Sequence, residues 1–178
     1  MSLNRSGGQC AWAKNSPGCA KNVGYVIATA ERAAAAHPTL PIVLCGASFG
    51  CRVLAEALRE NVAQLPVRVA PALICSGYPL NPSGKADGAD QKRPNHLRKL
   101  PAANRVLLLQ GTKDEFNGSG GIQNMRDLRE QMSAPGQVEL YEVPGGKHSV
   151  PEATPKKEQQ EVTAAVCARI VQFVEDFL

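Results

Sequence analysis

Hydrophobic positions along this chain change their period several times. From residue 22 to 37, Val23, Val26, Ile27, Ala30 and Ala34 recur at helical spacing, with Asn22 placed as an N-cap and His37-Pro38 as the stop. An unbroken apolar run, Ile42 to Cys45, follows Pro41 and ends at Gly46, the pattern of a fully buried parallel strand. Directly afterwards Val53, Leu54, Ala57 and Leu58 form one helical stripe, and Arg52 and Glu56 are expected to pair on its solvent side. Three more strands are predicted at Val69 to Cys75, Arg105 to Gln110 and Val138 to Val143. The intervening and closing helices carry Ile122, Met125, Leu128 and Met132, then Val162, Val166, Ile170, Phe173 and Phe177. Strands that alternate with helices of this length form βαβ units, so the predicted class is α/β: a mainly parallel sheet between two helical layers. Residues 1–20, with Gly7, Gly8, Pro17 and Gly18, read as an irregular segment, and residues 21–178 as one domain. Tyr78 to Pro101 reads as a solvated polar connection.

Composition narrows the function. With 178 residues, 43% of them hydrophobic and 20% charged, the chain can bury one substantial core. It contains neither an apolar stretch long enough to span a membrane nor a charged-then-apolar leader pattern, so the expectation is no membrane and an intracellular, cytoplasmic or nuclear protein. A net charge of +4 without basic clustering, and only 4% aromatics, argue against direct nucleic-acid binding. The six cysteines include no C-x-x-C pair, and Cys45 and Cys75 fall in apolar runs, so they are expected to be reduced and buried. No spacing fits a zinc site, and Gly118 to Gly121 lacks the Gly-Lys-Ser/Thr of a phosphate loop; no metal or cofactor is expected.

One motif carries chemistry. Gly46-Ala47-Ser48-Phe49-Gly50 matches G-x-S-x-G where a strand meets a helix. Such a turn holds its serine in a strained backbone conformation, and side chains larger than glycine at its flanks are expected to collide as strand and helix converge. The helix starting at Phe49 aims its positive end at the place where an oxyanion would form, so the Phe49 amide is the candidate donor. A serine hydroxyl needs a base, and the chain has three histidines. His37 ends a helix, His96 lies in the polar connection, and His148 follows the last strand in Pro144-Gly145-Gly146-Lys147-His148, so His148 is the candidate base. Asp114, just past the Arg105 to Gln110 strand, is the candidate third member, with Glu115 as the alternative acid. All three groups follow C-terminal strand ends, in the order Ser, Asp, His.

The blocks CGASFG at residues 45–50, LICSGYPL at 73–80, LLLQGTKDE at 107–115 and GGKHS at 145–149 resemble the dienelactone-hydrolase-like α/β-hydrolases of the testis-expressed protein 30 type, relatives of a chromatin-complex subunit. The resemblance runs from about residue 23 onward. It implies an α/β-hydrolase fold with Ser48 as nucleophile, His148 as base and Asp114 as acid; the reaction expected of such a triad is hydrolysis of a small-molecule ester or thioester. It also implies further strands ahead of the nucleophile and a loop, often beginning His-Gly, that gives a second oxyanion donor. Relative to that family the chain is N-terminally truncated. Lacking such a donor typically costs about 10²- to 10³-fold in rate. The Ile42 to Cys45 strand would then lie near a raw sheet edge, to be covered by residues 1–20, by a protein partner or by a second copy of the chain. The alternative to a serine hydrolase is therefore a non-catalytic binding or scaffold protein of the same fold.

Overall fold

The computed structural model describes residues 18–82, 92–148 and 156–176. Its elements follow the predicted alternation: α1 (Cys19–Ala36), β1 (Ile42–Ala47), α2 (Phe49–Glu60), β2 (Val69–Ser76), α3 (Lys92–Arg98), β3 (Arg105–Gly111), α4 (Ile122–Glu130), β4 (Val138–Val143) and α5 (Lys156–Glu175). The four strands are parallel and ordered β1-β2-β3-β4. Each crossover therefore steps the sheet in the same direction, and crossovers of one hand then leave their helices on one face.

Strand alternation divides the core accordingly. Leu44, Leu73, Cys75, Val106 and Leu108 face α1, α2 and the Met125–Leu128 side of α4, while Ala72, Ile74, Leu107 and Leu109 face Val166 and Phe173 of α5. This is the expected three-layer α/β arrangement. Among the described residues no helix is long and apolar enough to cross a membrane.

Several local expectations are corrected. The first helix starts at Cys19 with Gly18 as N-cap, so Asn22 is not a cap; it is buried within the helix and its amide donates back to Gly18 O at 3.4 Å. The first strand is not fully buried: only Leu44 is, and Cys45 and Ala47 are exposed. The reason is position, since β1 pairs only with β2 among the described residues and stands at the sheet edge. Glu56 is buried rather than solvent-facing, and it pairs with Arg59 at 2.6 Å and His96 at 3.1 Å instead of Arg52. The connection after β2 contains α3, whose Pro94 sits at the third helical position, where a missing N–H costs no intrahelical bond. Met132 lies beyond the end of α4 but is buried. Phe177, residues 1–17 and most of the polar segment after Pro82, residues 83–91, lie outside the described residues.

Candidate active site

Ser48 occupies the hinge between β1 and α2. Its backbone has φ 50° and ψ −124°, and it is the one non-glycine residue with positive φ among those described. An L-residue is held there only when its surroundings fix it. Ser48 N donates to Ser76 O at the end of β2 at 2.9 Å, and Ser48 O accepts from Cys51 N at 3.0 Å. The flanking glycines are not equivalent. A Cβ on Gly46 would lie 2.7 Å from Leu54 Cδ1 and 3.0 Å from the backbone of Gly50, whereas a Cβ on Gly50 would meet nothing within 4 Å. The steric expectation therefore applies to Gly46 alone; Gly50 faces a groove beside the outer edge of β1.

The histidine reaches the hydroxyl. His148 Nε2 is 2.7 Å from Ser48 Oγ, and His148 Nδ1 is 2.9 Å from Asp114 Oδ2. Three residues separated by 66 and 34 positions thus meet past the ends of β1, β3 and β4, as the sequence pattern predicted. The order of partners sets the tautomer: a carboxylate can only accept, so Nδ1 carries the proton and Nε2 offers its lone pair to the hydroxyl. Phe116 packs on the imidazole with ring centroids 4.2 Å apart.

The loop after β4 is tied to the end of β3. Lys113 N donates to Gly146 O at 2.8 Å, and Gly145 N donates to Thr112 Oγ1 at 2.8 Å. On its other side the loop lies against Gly77, which follows β2 with φ +61°; a Cβ there would come within 2.1 Å of His148 O. Only glycine fits both that conformation and that approach.

Asp114 is held by a polar network that the sequence reading did not find. Its side chain is fully buried; Oδ1 accepts from Phe116 N at 2.8 Å and Oδ2 from Gln110 Nε2 at 2.7 Å. Gln110 also donates to Asn117 Oδ1 at 2.8 Å and accepts from Tyr78 N at 2.8 Å, and Asn117 Nδ2 donates to Gly111 O at 3.0 Å. Asp114 caps the short 3-10 turn Glu115–Asn117 and contacts the histidine with the same carboxylate. Glu115 is exposed, so the alternative acid is not the one brought to His148. The available signal was a glutamine directly after the apolar run VLLL in the strand RVLLLQG, at a depth where an amide needs buried partners. Of the cations of the polar connection, Arg93 is engaged with main-chain carbonyls, donating to Asn81 O at 2.9 Å. No cluster able to hold a metal ion occurs among the described residues.

A parallel sheet with flanking helices, and a serine on a strained strand-to-helix turn, define a hydrolase-type α/β protein. A sequence comparison agrees: the alpha/beta hydrolase domain family matches residues 10–177, and the chain belongs to that family. Comparison with curated proteins gave no match. Among solved structures the chain is similar to an alpha-beta serine hydrolase homologue from Coxiella burnetii (TM-score 0.59, 18% identity, 89% of this chain and 64% of that one). It is likewise similar to a monoacylglycerol lipase from Paleococcus ferrophilus (TM-score 0.62, 13% identity, 88% and 76%). A Pyrococcus furiosus esterase gives a TM-score of 0.59 at 15% identity, covering 88% and 62%. At these identities the likeness concerns the fold, and the chain spans 64% of the length of the Coxiella homologue.

Proposed function

We propose that this hydrolase-family chain is a serine hydrolase acting on small esters or thioesters, on the dienelactone-hydrolase-like branch suggested by its four motif blocks. The observation that carries the reading is the continuous contact from Ser48 Oγ through His148 to buried Asp114, at 2.7 and 2.9 Å. In this mechanism Ser48 Oγ attacks the carbonyl carbon while His148 Nε2 takes its proton. Asp114 keeps Nδ1 protonated and stabilises the imidazolium. The Phe49 amide, at the positive end of α2, faces the charge that develops on the carbonyl oxygen. His148 then protonates the leaving alkoxide or thiolate, and water attacks the acyl-serine with His148 again as base. The chemistry calls on no metal or cofactor.

The test is labelling by a fluorophosphonate, which phosphonylates an activated serine. Labelling is expected in the natural chain, absent in Ser48→Ala and reduced by a factor on the order of 10³ in His148→Ala. Labelling that survives Ser48→Ala would refute the assignment. One observation favours a second reading, a binding protein without turnover: the outer edge of β1 has no strand beside it among the described residues. A folded chain that the probe does not label would select that reading.

A further inference from the structure

A second chain of contacts with the same logic lies elsewhere in the molecule. Between the start of α1, α2 and α3 opens a cavity of about 500 Å³, and neither Ser48, Asp114 nor His148 lines it. In it Cys19 Sγ stands 3.6 Å from His96 Nε2, and His96 Nδ1 stands 3.1 Å from Glu56 Oε2. Glu56 is fixed in turn by Arg59 at 2.6 Å. A carboxylate at Nδ1 requires the proton there, which leaves Nε2 as the acceptor facing the thiol. Arg52 Nη2, 3.5 Å from the same nitrogen, is compatible only with that tautomer. Burial, and then the Arg52 guanidinium, lower the pKa of His96 below its ordinary 6.5, so the ring is neutral near neutral pH and its Nε2 lone pair is available to the thiol.

The other thiols among the described residues lack this setting. Cys19 is itself buried, at 4% exposure, but lines the cavity, whereas Cys51 and Cys75 are at 0% and do not; Cys51 Sγ donates to Gly46 O at 3.1 Å, and burial pushes the Cys75 pKa well up. Cys45 and Cys167 are exposed but have no imidazole in hydrogen-bond contact among the described residues. The cavity is also charged in one sense. Among the described residues that line it, Lys21, Lys99, Arg52 and Arg59 are cationic beside Lys92, and Glu56 is the one carboxylate. A low-dielectric concave wall carrying one sign of charge concentrates small molecules of the opposite sign.

We infer that Cys19 is a reactive thiol, with His96 as its base and Glu56 orienting the ring, and that the cavity takes small carboxylate-bearing disulfides. Cys19 Sγ–H gives its proton to His96 Nε2. The sulfur's electron pair then forms a bond to one sulfur of the ligand, whose own S–S bond breaks. That bonding pair departs with the second ligand sulfur, which takes the proton back from His96. One disulfide is exchanged for another, without net oxidation, and the product is Cys19 in mixed disulfide with an anionic thiol. Cys19 is the first residue of α1, at its positive end, and Arg52 lines the same cavity, a setting that favours a thiolate.

The experiment compares a dianionic aromatic disulfide, bis(carboxynitrophenyl) disulfide, with uncharged dipyridyl disulfide. Released thiol is followed by absorbance and the modified cysteine is located by peptide mass analysis. Cys19 is expected to react with the anionic reagent about tenfold or more ahead of exposed Cys45 and Cys167. His96→Asn is expected to slow Cys19 toward both reagents alike. Lys21→Glu with Lys99→Glu, both at exposed positions, leaves packing intact. It is expected to slow the anionic reagent about tenfold and the neutral one by less than about twofold. The inference is overturned if Cys19 reacts no faster than Cys167, or if the charge reversal changes both reagents equally.

Discussion

Replacing Gly77 by alanine tests how closely the turn after β2 and the His148 loop are fitted. Two separate costs can be read from the geometry. The backbone at Gly77 has φ +61°, which costs an L-residue about 1–2 kcal/mol. The added Cβ would stand 2.1 Å from His148 O, a main-chain atom that cannot rotate away as a flexible side chain could. Restoring ordinary contact at about 3.5 Å requires a displacement of roughly 1 Å or more, and overpacking of this kind costs about 1–3 kcal/mol. The strain therefore sums to about 2–5 kcal/mol, and in a domain of this size each kcal/mol lowers Tm by about 2–4 °C. The displaced residue also bridges Ser48 and Asp114 through contacts of 2.7 and 2.9 Å, with no slack to absorb such a shift. A misplacement of about 1 Å can cost on the order of 10²-fold in reaction rate. The assay is the second-order rate of fluorophosphonate labelling, taken with Tm on the same preparation. Gly50→Ala is the control: its Cβ meets nothing within 4 Å and it lies in the first turn of α2, so Tm should hold or rise slightly. If Gly77→Ala stays folded and labels within about twofold of the natural chain, the proposed dependence of the site on this approach is wrong.

Asp114→Asn should cut labelling by on the order of 10³- to 10⁴-fold with little change in fold, because an amide at that point no longer enforces the Nδ1–H tautomer; ester hydrolysis measured across pH would reveal a smaller effect. Gln110→Leu removes the partners of Tyr78 N and Asn117 Oδ1 and should cost about 2–5 kcal/mol in urea unfolding; a loss under about 1 kcal/mol would show that the network is not needed for stability. His96 should titrate below 6.5 by NMR, held down by burial and Arg52 against the opposing pull of Glu56. The folded ring then binds fewer protons than the unfolded one, so its contribution to stability is complete above about 6.5 and shrinks as pH falls below that value; a His96 pKa at or above 6.5 contradicts this.

Much of the fold was legible because it rests on local period. The strand Val138–Val143 was bounded correctly, and β2 and β3 each extend one residue beyond the expected end. The triad candidates were legible for a different reason: each follows the C-terminal end of a strand, and parallel order brings those ends to one rim. What was missed depends on neighbours that no local pattern encodes. Cys45 lies in an apolar run but is exposed, since burial of a strand residue requires cover that β1 lacks on its outer side among the described residues. Glu56 has the spacing of a surface pair but is turned inward by His96, a partner 40 residues away on a helix that the proline-containing sequence concealed. Gln110 was counted as the end of a strand, although its amide is the junction between Asp114, Asn117 and Tyr78.

The distribution of anchors separates most of the contacts that hold Ser48, His148 and Asp114 from the open edge of the sheet. Ser48 is fixed from β2 through Ser76 O and from α2 through Cys51 N and the Leu54 contact at Gly46. Asp114 is fixed from β3 through Gln110 and from the turn that follows, and His148 by the loop bonded to Thr112 and Lys113 and by its approach to Gly77. Of these contacts only that between Gly46 and Leu54 reaches the outer side of β1, where the apolar groove of Tyr25, Ala33, Ile42 and Leu54 lies. A disturbance of that edge is therefore expected to act on stability before it changes how the imidazole of His148 bridges Ser48 and Asp114. A loss of activity caused by disturbing β1 should accordingly appear in the rate with acyl substrates and in Tm together.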